Sequence, residues 1–281
     1  MPLSKTKPFL KLLFRKVAGD QITDLSAQIA YYFLLSLFPF LLFAIALLPY
    51  FALDSDAVIK LLREYFPSGT VDVIDKNLAS VLENPQTGLL SFGAIATLWS
   101  ASNAIGSIMR ALNRAYNEES HRPFIQAKLL SICMTILLVF VLVITLLLPV
   151  FGQLLLKGIR FFFYIPELSD GMFQAIRWGV GSAIMIVVLM LFYRIAPIRR
   201  LFYRDVIWGA VTATLLWQLI SLAFSFYLNN FGNYSATYGA LGGVIVLLLW
   251  FFLTGALLIL GGEVNATISE MRGESTTTPR S

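Results

Sequence analysis

The residues best able to do chemistry stand where an otherwise hydrocarbon-like sequence is interrupted by amides and charges. Between Trp99 and Tyr116 an apolar run carries Trp99, Asn103, Gly106, Arg110 and Asn113 three or four residues apart, so on a helix they form one stripe. Amide and guanidinium groups facing lipid forfeit their hydrogen bonds to water, which predicts that the stripe turns into a bundle. Ser102 and Gly106 beside it form a small-xxx-small pair that lets another helix approach. Ahead of Pro39, Gln28, Tyr32 and Ser36 recur every four residues, with Asp24 one turn below. The missing N–H of Pro39 and its crowding of the Leu35 carbonyl predict a kink. The last apolar run closes on Gly261-Gly-Glu-Val-Asn-Ala266, which supplies Glu263 and Asn265. With Arg114, these groups read in one of two ways: an inward polar cluster on a substrate path, or helix glue and membrane-boundary markers. Charges at one depth on packed helices pair rather than stay separately desolvated. Asp24 with Arg110 is the expected pair, and Arg114 the second choice.

Catalytic chemistry has little to work with. His121, the lone histidine, lies in a polar loop, and Cys133, the lone cysteine, lies in an apolar run. Neither a disulfide nor a cysteine-based metal site follows from one thiol. Metal-assisted phosphodiester hydrolysis needs clustered His and Asp ligands, and no such box, no P-loop and no base beside Ser100 or Ser102 is legible. The expectation is a protein that is not an enzyme, with no catalytic residues, no metal and no cofactor.

The elements that must position the polar groups are membrane helices. The chain of 281 residues is 58% hydrophobic and only 13% charged, with mean hydropathy +0.77, where soluble domains carry about a quarter charged residues. Apolar runs near 20 residues predict an all-α polytopic protein with six spans, at about 25–53, 89–111, 129–151, 176–193, 206–227 and 239–260. Residues 1–24 read as a basic amphipathic tail on the cytoplasmic side. Within the membrane domain of residues 25–268, positions 54–87 read as two amphipathic helices around Pro67-Ser-Gly, an outer hairpin. Residues 269–281 read as a disordered cytoplasmic tail. Small-xxx-small pairs recur at Gly179/Ala183, Gly209/Ala213 and Gly239/Gly243. With six spans both termini share a side. Placing them inside puts 15 Lys and Arg in inner segments and 6 in outer ones, the bias expected for cytoplasmic termini. The net charge of +5 is thus a topology signal before it is a nucleic-acid signal, and no nucleic-acid partner is expected.

Asp24…Ala30-Tyr-Tyr-x-x-Leu-Ser-x-Phe-Pro39, Leu98-Trp-Ser-Ala-Ser, Arg110-Ala-Leu-Asn-Arg-Ala-Tyr116, Tyr238-Gly and Gly262-Glu-Val-Asn-Ala266 resemble the YihY/virulence factor BrkB family of bacterial inner-membrane proteins. Order and spacing agree from about residue 20 to 268, with Val264 where leucine is commoner. The resemblance implies a six-helix protein of the bacterial cytoplasmic (inner) membrane. It implies little chemistry: members have carried a ribonuclease BN label, and transport has been suggested. Taken with the polar stripe and the proline in the first span, the expected function is transport or export of an amphipathic or lipid-like substrate. The expected partners are membrane lipids and that substrate, and the oligomeric state stays open. A non-catalytic membrane scaffold is the alternative.

Overall fold

The structure, a computed structural model, describes residues 6–47, 50, 87–118, 122–140, 170–231 and 240–272. The expected outer hairpin, the second half of the third span, His121 and the end of the C-terminal tail lie outside the described residues. All regular structure among the described residues is helical: α1 (Thr6–Gly19), α2 (Ile22–Leu47), α3 (Thr87–Ala115), α4 (Phe124–Phe140), α5 (Asp170–Ile195), α6 (Tyr203–Phe231) and α7 (Ala240–Met271). Five of them hold stretches long and apolar enough to cross a membrane: Ile22–Ala44, Thr87–Ala115, Trp178–Ile195, Tyr203–Leu228 and Gly242–Met271. A hydrocarbon core of ~30 Å needs about 20 helical residues. The shorter apolar helix α4 opens the third expected span.

The chain divides into two compact units, Tyr32–Ala101 on one hand and Met1–Tyr31 with Ser102–Ser281 on the other. In the first, Gly93 of α3 meets the backbone of Phe43 in α2 so closely that a Cβ there would strike it. Pro39 lies inside α2 without ending it, and the helix runs on to Leu47. Ser36 and Thr97 return their hydroxyls to carbonyls of their own helices, those of Phe33 (2.7 Å) and Gly93 (2.6 Å), the usual way for hydroxyls to be satisfied in apolar surroundings.

In the larger unit α6 packs against both α5 and α7, and α1 against α7. Antiparallel register of α6 and α7 is fixed at one end by Gly209 with Gly261 and Asn265. Further along, the Trp217 and Trp250 rings meet edge-on at 6.0 Å. Gln218 of α6 donates to Ser182 of α5 at 2.6 Å, and Tyr193 of α5 donates to the Leu258 carbonyl of α7 at 2.8 Å. Helix ends are closed by local sequence. Asn117 takes a positive φ of 55° after α3, while Asn117 N–H donates to Arg114 O (2.8 Å) and Glu118 N–H to Asn113 O (2.9 Å). That is the paired bonding of a Schellman stop, in which asparagine tolerates the left-handed turn. At the start of α6, buried Asp205 accepts the N–H of Phe202 at 3.0 Å and carries negative charge in the helix's first turn.

Two expected boundaries move. α3 continues to Ala115 rather than stopping near 111. α7 continues through Gly261-Gly262 to Met271, so positions 269–271, expected in a disordered tail, are helical. Packing supplies the reason: Ser269 is 3% exposed and Glu270 is held by Lys16 at 3.1 Å.

Candidate functional site

The last three turns of α7 are the most heavily buried polar segment of the described chain. Glu263, Asn265 and Thr267 have no accessible surface. Close approach of backbones makes room for them. A Cβ at Gly261 would run into the Tyr193 hydroxyl, Ala213 and the Gly209 carbonyl. One at Gly209 would strike Gly261 and Asn265, and one at Gly262 would strike Leu112 of α3. Small residues at a helix crossing let backbones touch and dispersion contacts accumulate where lipid offers no hydrophobic drive. At this crossing Asn265 accepts the Gly209 N–H at 2.6 Å.

Charged groups gather around the same end. Lys16 of α1 is nearly buried. It donates to the Ala115 carbonyl at the end of α3 (2.9 Å) and pairs with Glu270 at 3.1 Å, a cation on the negative end of a helix dipole. Arg272 reaches Asp205 at 3.2 Å. Arg122 donates to the carbonyls of Ala196 (3.1 Å) and Pro197 (2.9 Å) just past α5. Lys16, Tyr116, Arg199, Ser269 and Glu270 line a pocket of about 100 Å³. Burial pushes the Tyr116 phenol well above its ordinary pKa, against the opposing pull of Arg199, so it stays an un-ionised O–H. Several groups here find no hydrogen-bond partner among the described residues: the hydroxyls of Tyr116, Thr267 and Ser269 and the amide nitrogen of Asn265; the Glu263 carboxyl stands beside that of Asp20.

The residues expected from sequence are not all brought together. Glu263, Asn265 and Asn113 are buried, and Asn113 accepts the Ile198 N–H at 2.8 Å. Asn103 is half-buried and receives Lys128 at 2.7 Å. Trp99 is 53% exposed, and Arg110 is exposed and folds back to the Ser107 hydroxyl at 2.7 Å. The stripe on α3 is therefore covered unevenly, exposed at Trp99 and Arg110, half-buried at Asn103 and Gly106 and buried at Asn113; the buried faces carry Ala104, Ile105, Ile108, Ala111, Leu112 and Ala115. Small and branched apolar groups admit close neighbours, whereas an arginine's long stem lets its head reach away from the packed surface. Asp24 and Gln28 are exposed, Tyr32 and Pro39 half-buried, and Ser36 buried. No ion pair joins Asp24 to Arg110 among the described residues. Arg114, exposed, instead donates to Gln21 at 3.1 Å, in the turn between α1 and α2. Sequence reasoning missed Lys16, Tyr116, Lys128, Arg199 and Ser269. Each lay in what read as a loop, a tail or a span's first turn, and only the basic residues gave a signal, which was read as topology.

The family profile described as virulence factor BrkB matches residues 13–281. The ribonuclease-like protein YfkH of Bacillus subtilis is 45% identical over 264 residues, covering 94% of this chain and 96% of its own length. UPF0761 membrane proteins of Alteromonas mediterranea and Cronobacter sakazakii are each 26% identical, over 96% and 94% of this chain and 94% and 89% of theirs. No solved structure matches.

Proposed function

We propose a function from the premise that this chain belongs to the virulence factor BrkB family and is a multi-pass membrane protein. The function is movement of an amphipathic, lipid-like substrate across the bacterial cytoplasmic membrane. The observation that carries it is the set of buried polar groups on α7 and at Tyr116 that find no hydrogen-bond partner among the described residues. Buried polar groups in folded proteins are almost always hydrogen-bonded, and each one left unpaired costs about 1–3 kcal/mol. A purely structural network would be closed. An open one inside a membrane bundle suits a site whose partners arrive with a cargo or in a second conformation. Hydrolysis finds no comparable support: among the described residues no three His, Cys, Asp or Glu side chains stand close enough to share a metal. The ribonuclease-like name belongs to the Bacillus protein.

The test compares strains lacking and overproducing the protein, by untargeted lipid and metabolite profiling of each leaflet and of the medium. Overproduction should enrich at least one amphipathic species on the outer side. Indistinguishable profiles at verified protein levels would end the transport reading.

The topology proposed with this function has six spans, the hairpin outside and both termini in the cytoplasm, on the Lys and Arg bias. A reporter fused after Ser281, or within residues 115–123, is expected to read cytoplasmic, and one within residues 66–72 external. An external signal from the C-terminal fusion would overturn it.

A further inference from the structure

The Glu263 carboxyl of α7 has no accessible surface and stands within hydrogen-bonding reach of the Asp20 carboxyl in the turn after α1. Ionised carboxylates only accept hydrogen bonds, and no N–H or O–H donor among the described residues reaches either oxygen of Glu263. A bond between the two groups therefore exists only when one of them carries a proton. We infer that Asp20 and Glu263 together form a proton-binding site, which holds one proton between two carboxyls and exchanges it with water. For the transport proposed above, that proton is the coupling ion, a role that rests on the transport reading.

Local structure holds the two acids in place. The Asp20 N–H donates to the Lys16 carbonyl at 2.8 Å, and Gln21 turns the chain with a positive φ of 52°. Arg114 pins that turn, donating to the Gln21 side chain at 3.1 Å and to the Asp20 carbonyl at 3.5 Å. Glu263 follows two glycines whose close neighbours are Leu112 of α3, Tyr193 of α5 and the backbone of α6. The charges around the pair leave it one short. From α1, Lys16 acts on Glu263 while bonding the Ala115 carbonyl at 2.9 Å and Glu270 at 3.1 Å. Even with Arg15, 4.0 Å from Glu270, taken as that acid's counter-ion, one ammonium remains for two adjoining carboxyls. From the end of α3, Tyr116 presents an un-ionised phenol, on which Arg199 and Asp205 act with opposite sign; Asp205 is itself paired with Arg272. Tyr193 of α5 gives its hydroxyl to the Leu258 carbonyl. α2 meets α7 through Ile29 at Gly255, and its acid, Asp24, is exposed. Two adjoining carboxylates out of water do not both stay ionised, so a proton completes the balance. Asp20 is half-buried and Glu263 sealed, which makes Asp20 the side that meets water. On release an O–H bond breaks, its electron pair stays on the carboxylate and the proton passes to water; uptake is the reverse. The emptied pair sets two negative charges between the α1 turn and α7, which pack together, and their repulsion links proton occupancy to that packing.

The experiment records infrared difference spectra of the purified full chain, in an uncharged sugar-headgroup detergent, between neutral and alkaline pH. Exposed carboxyls are already ionised over that range, so wild type should lose the C=O stretch of a single protonated carboxyl as the pH rises. Glu263→Gln should abolish that band. Asp20→Asn should abolish it at neutral pH as well, because the asparagine N–H then donates to a Glu263 carboxylate and no proton is needed. Asp20 lies in a half-buried turn, so this variant keeps the test intact if Glu263→Gln fails to fold. Asp24→Asn, an exposed acid, should leave the band as it is. Absence of the band from wild type overturns the proposal. So does a band that Asp20→Asn leaves unchanged in folded protein, since Glu263 would then hold its proton through burial alone. Binding is read at equilibrium, without flux: a band lost in both variants, beside leaflet profiles that overproduction does not change, sustains the proton site and ends its role in transport.

Discussion

Gly261→Ala is expected to destabilise the protein by about 2–3 kcal/mol, at the upper end of what overpacking costs, and to deplete it from membranes. Helix propensity pulls the other way, since alanine is favoured over glycine inside a helix by roughly 1 kcal/mol. Contact wins because of what the new methyl group meets. Two of its three nearest neighbours are the Gly209 carbonyl and the Ala213 Cβ on α6, parts of a rigid helix that cannot rotate aside. The third, the Tyr193 hydroxyl, is held by the Leu258 carbonyl at 2.8 Å. Relief therefore requires α6 and α7 to part, which also pulls the Gly209 N–H from Asn265. Gly179→Ala and Gly243→Ala are the controls, because a Cβ at either meets nothing within 4 Å among the described residues, and both should be neutral or mildly stabilising. Tyr193→Phe added to Gly261→Ala should recover only part of the loss, as the α6 contacts remain. Thermal unfolding of purified protein in detergent decides the matter. Equal melting of Gly261→Ala and Gly179→Ala would show that the crossing is looser than this.

The same glycines show what a sequence can and cannot disclose. Length and apolarity of the runs are enough to make five membrane-crossing helices legible, because hydrocarbon thickness sets helix length directly. Which small-residue pairs form crossings is another matter. Gly209/Ala213 and Ser102/Gly106 meet neighbours: the first touches Gly261, while Gly106 lies near the Ser131 hydroxyl and Ser102 receives Lys128. At Gly179 and Gly243 a Cβ would meet nothing within 4 Å among the described residues. A small pair permits close approach without supplying the partner, and the partner is a tertiary fact. Periodicity likewise defines a face of α3 but not what covers it. Arg110 satisfies itself on Ser107 in its own helix, so its presence did not require an acid on another. Lys16 and Ser269 were hidden for a different reason: both stand beyond the apolar runs. Their burial comes from α1 folding back onto α7, which no hydropathy pattern encodes.

Glu263→Gln is expected to separate function from stability. The wild-type side chain has no accessible surface, and its carboxyl stands beside that of Asp20, with which it can hydrogen-bond only by sharing a proton. The charges acting on it include Asp20 and Lys16, one of each sign. A carboxyl group within a membrane span costs about 2.5–3.5 kcal/mol even on lenient insertion scales, and glutamine has nearly the same shape. If the carboxylate were a structural counter-ion, its removal would strand a buried partner at a cost of about 3–5 kcal/mol. No ion pair of 4 Å or less is made by Glu263 among the described residues, so that loss is not expected. Thermal stability should stay within about 1 kcal/mol of wild type or rise, as happens when a strained functional group is replaced. Movement of the substrate should instead fall to background. Asn265→Ala provides the contrast, because its oxygen bonds the Gly209 N–H at 2.6 Å and its loss should lower stability by about 1–2 kcal/mol, with activity falling in step. Paired melting curves and leaflet profiles of the two variants test the distinction. A Glu263→Gln protein that melts several kcal/mol lower, or that moves substrate as well as wild type, would make the buried carboxyl a structural group and remove the main support for transport through this end of the bundle.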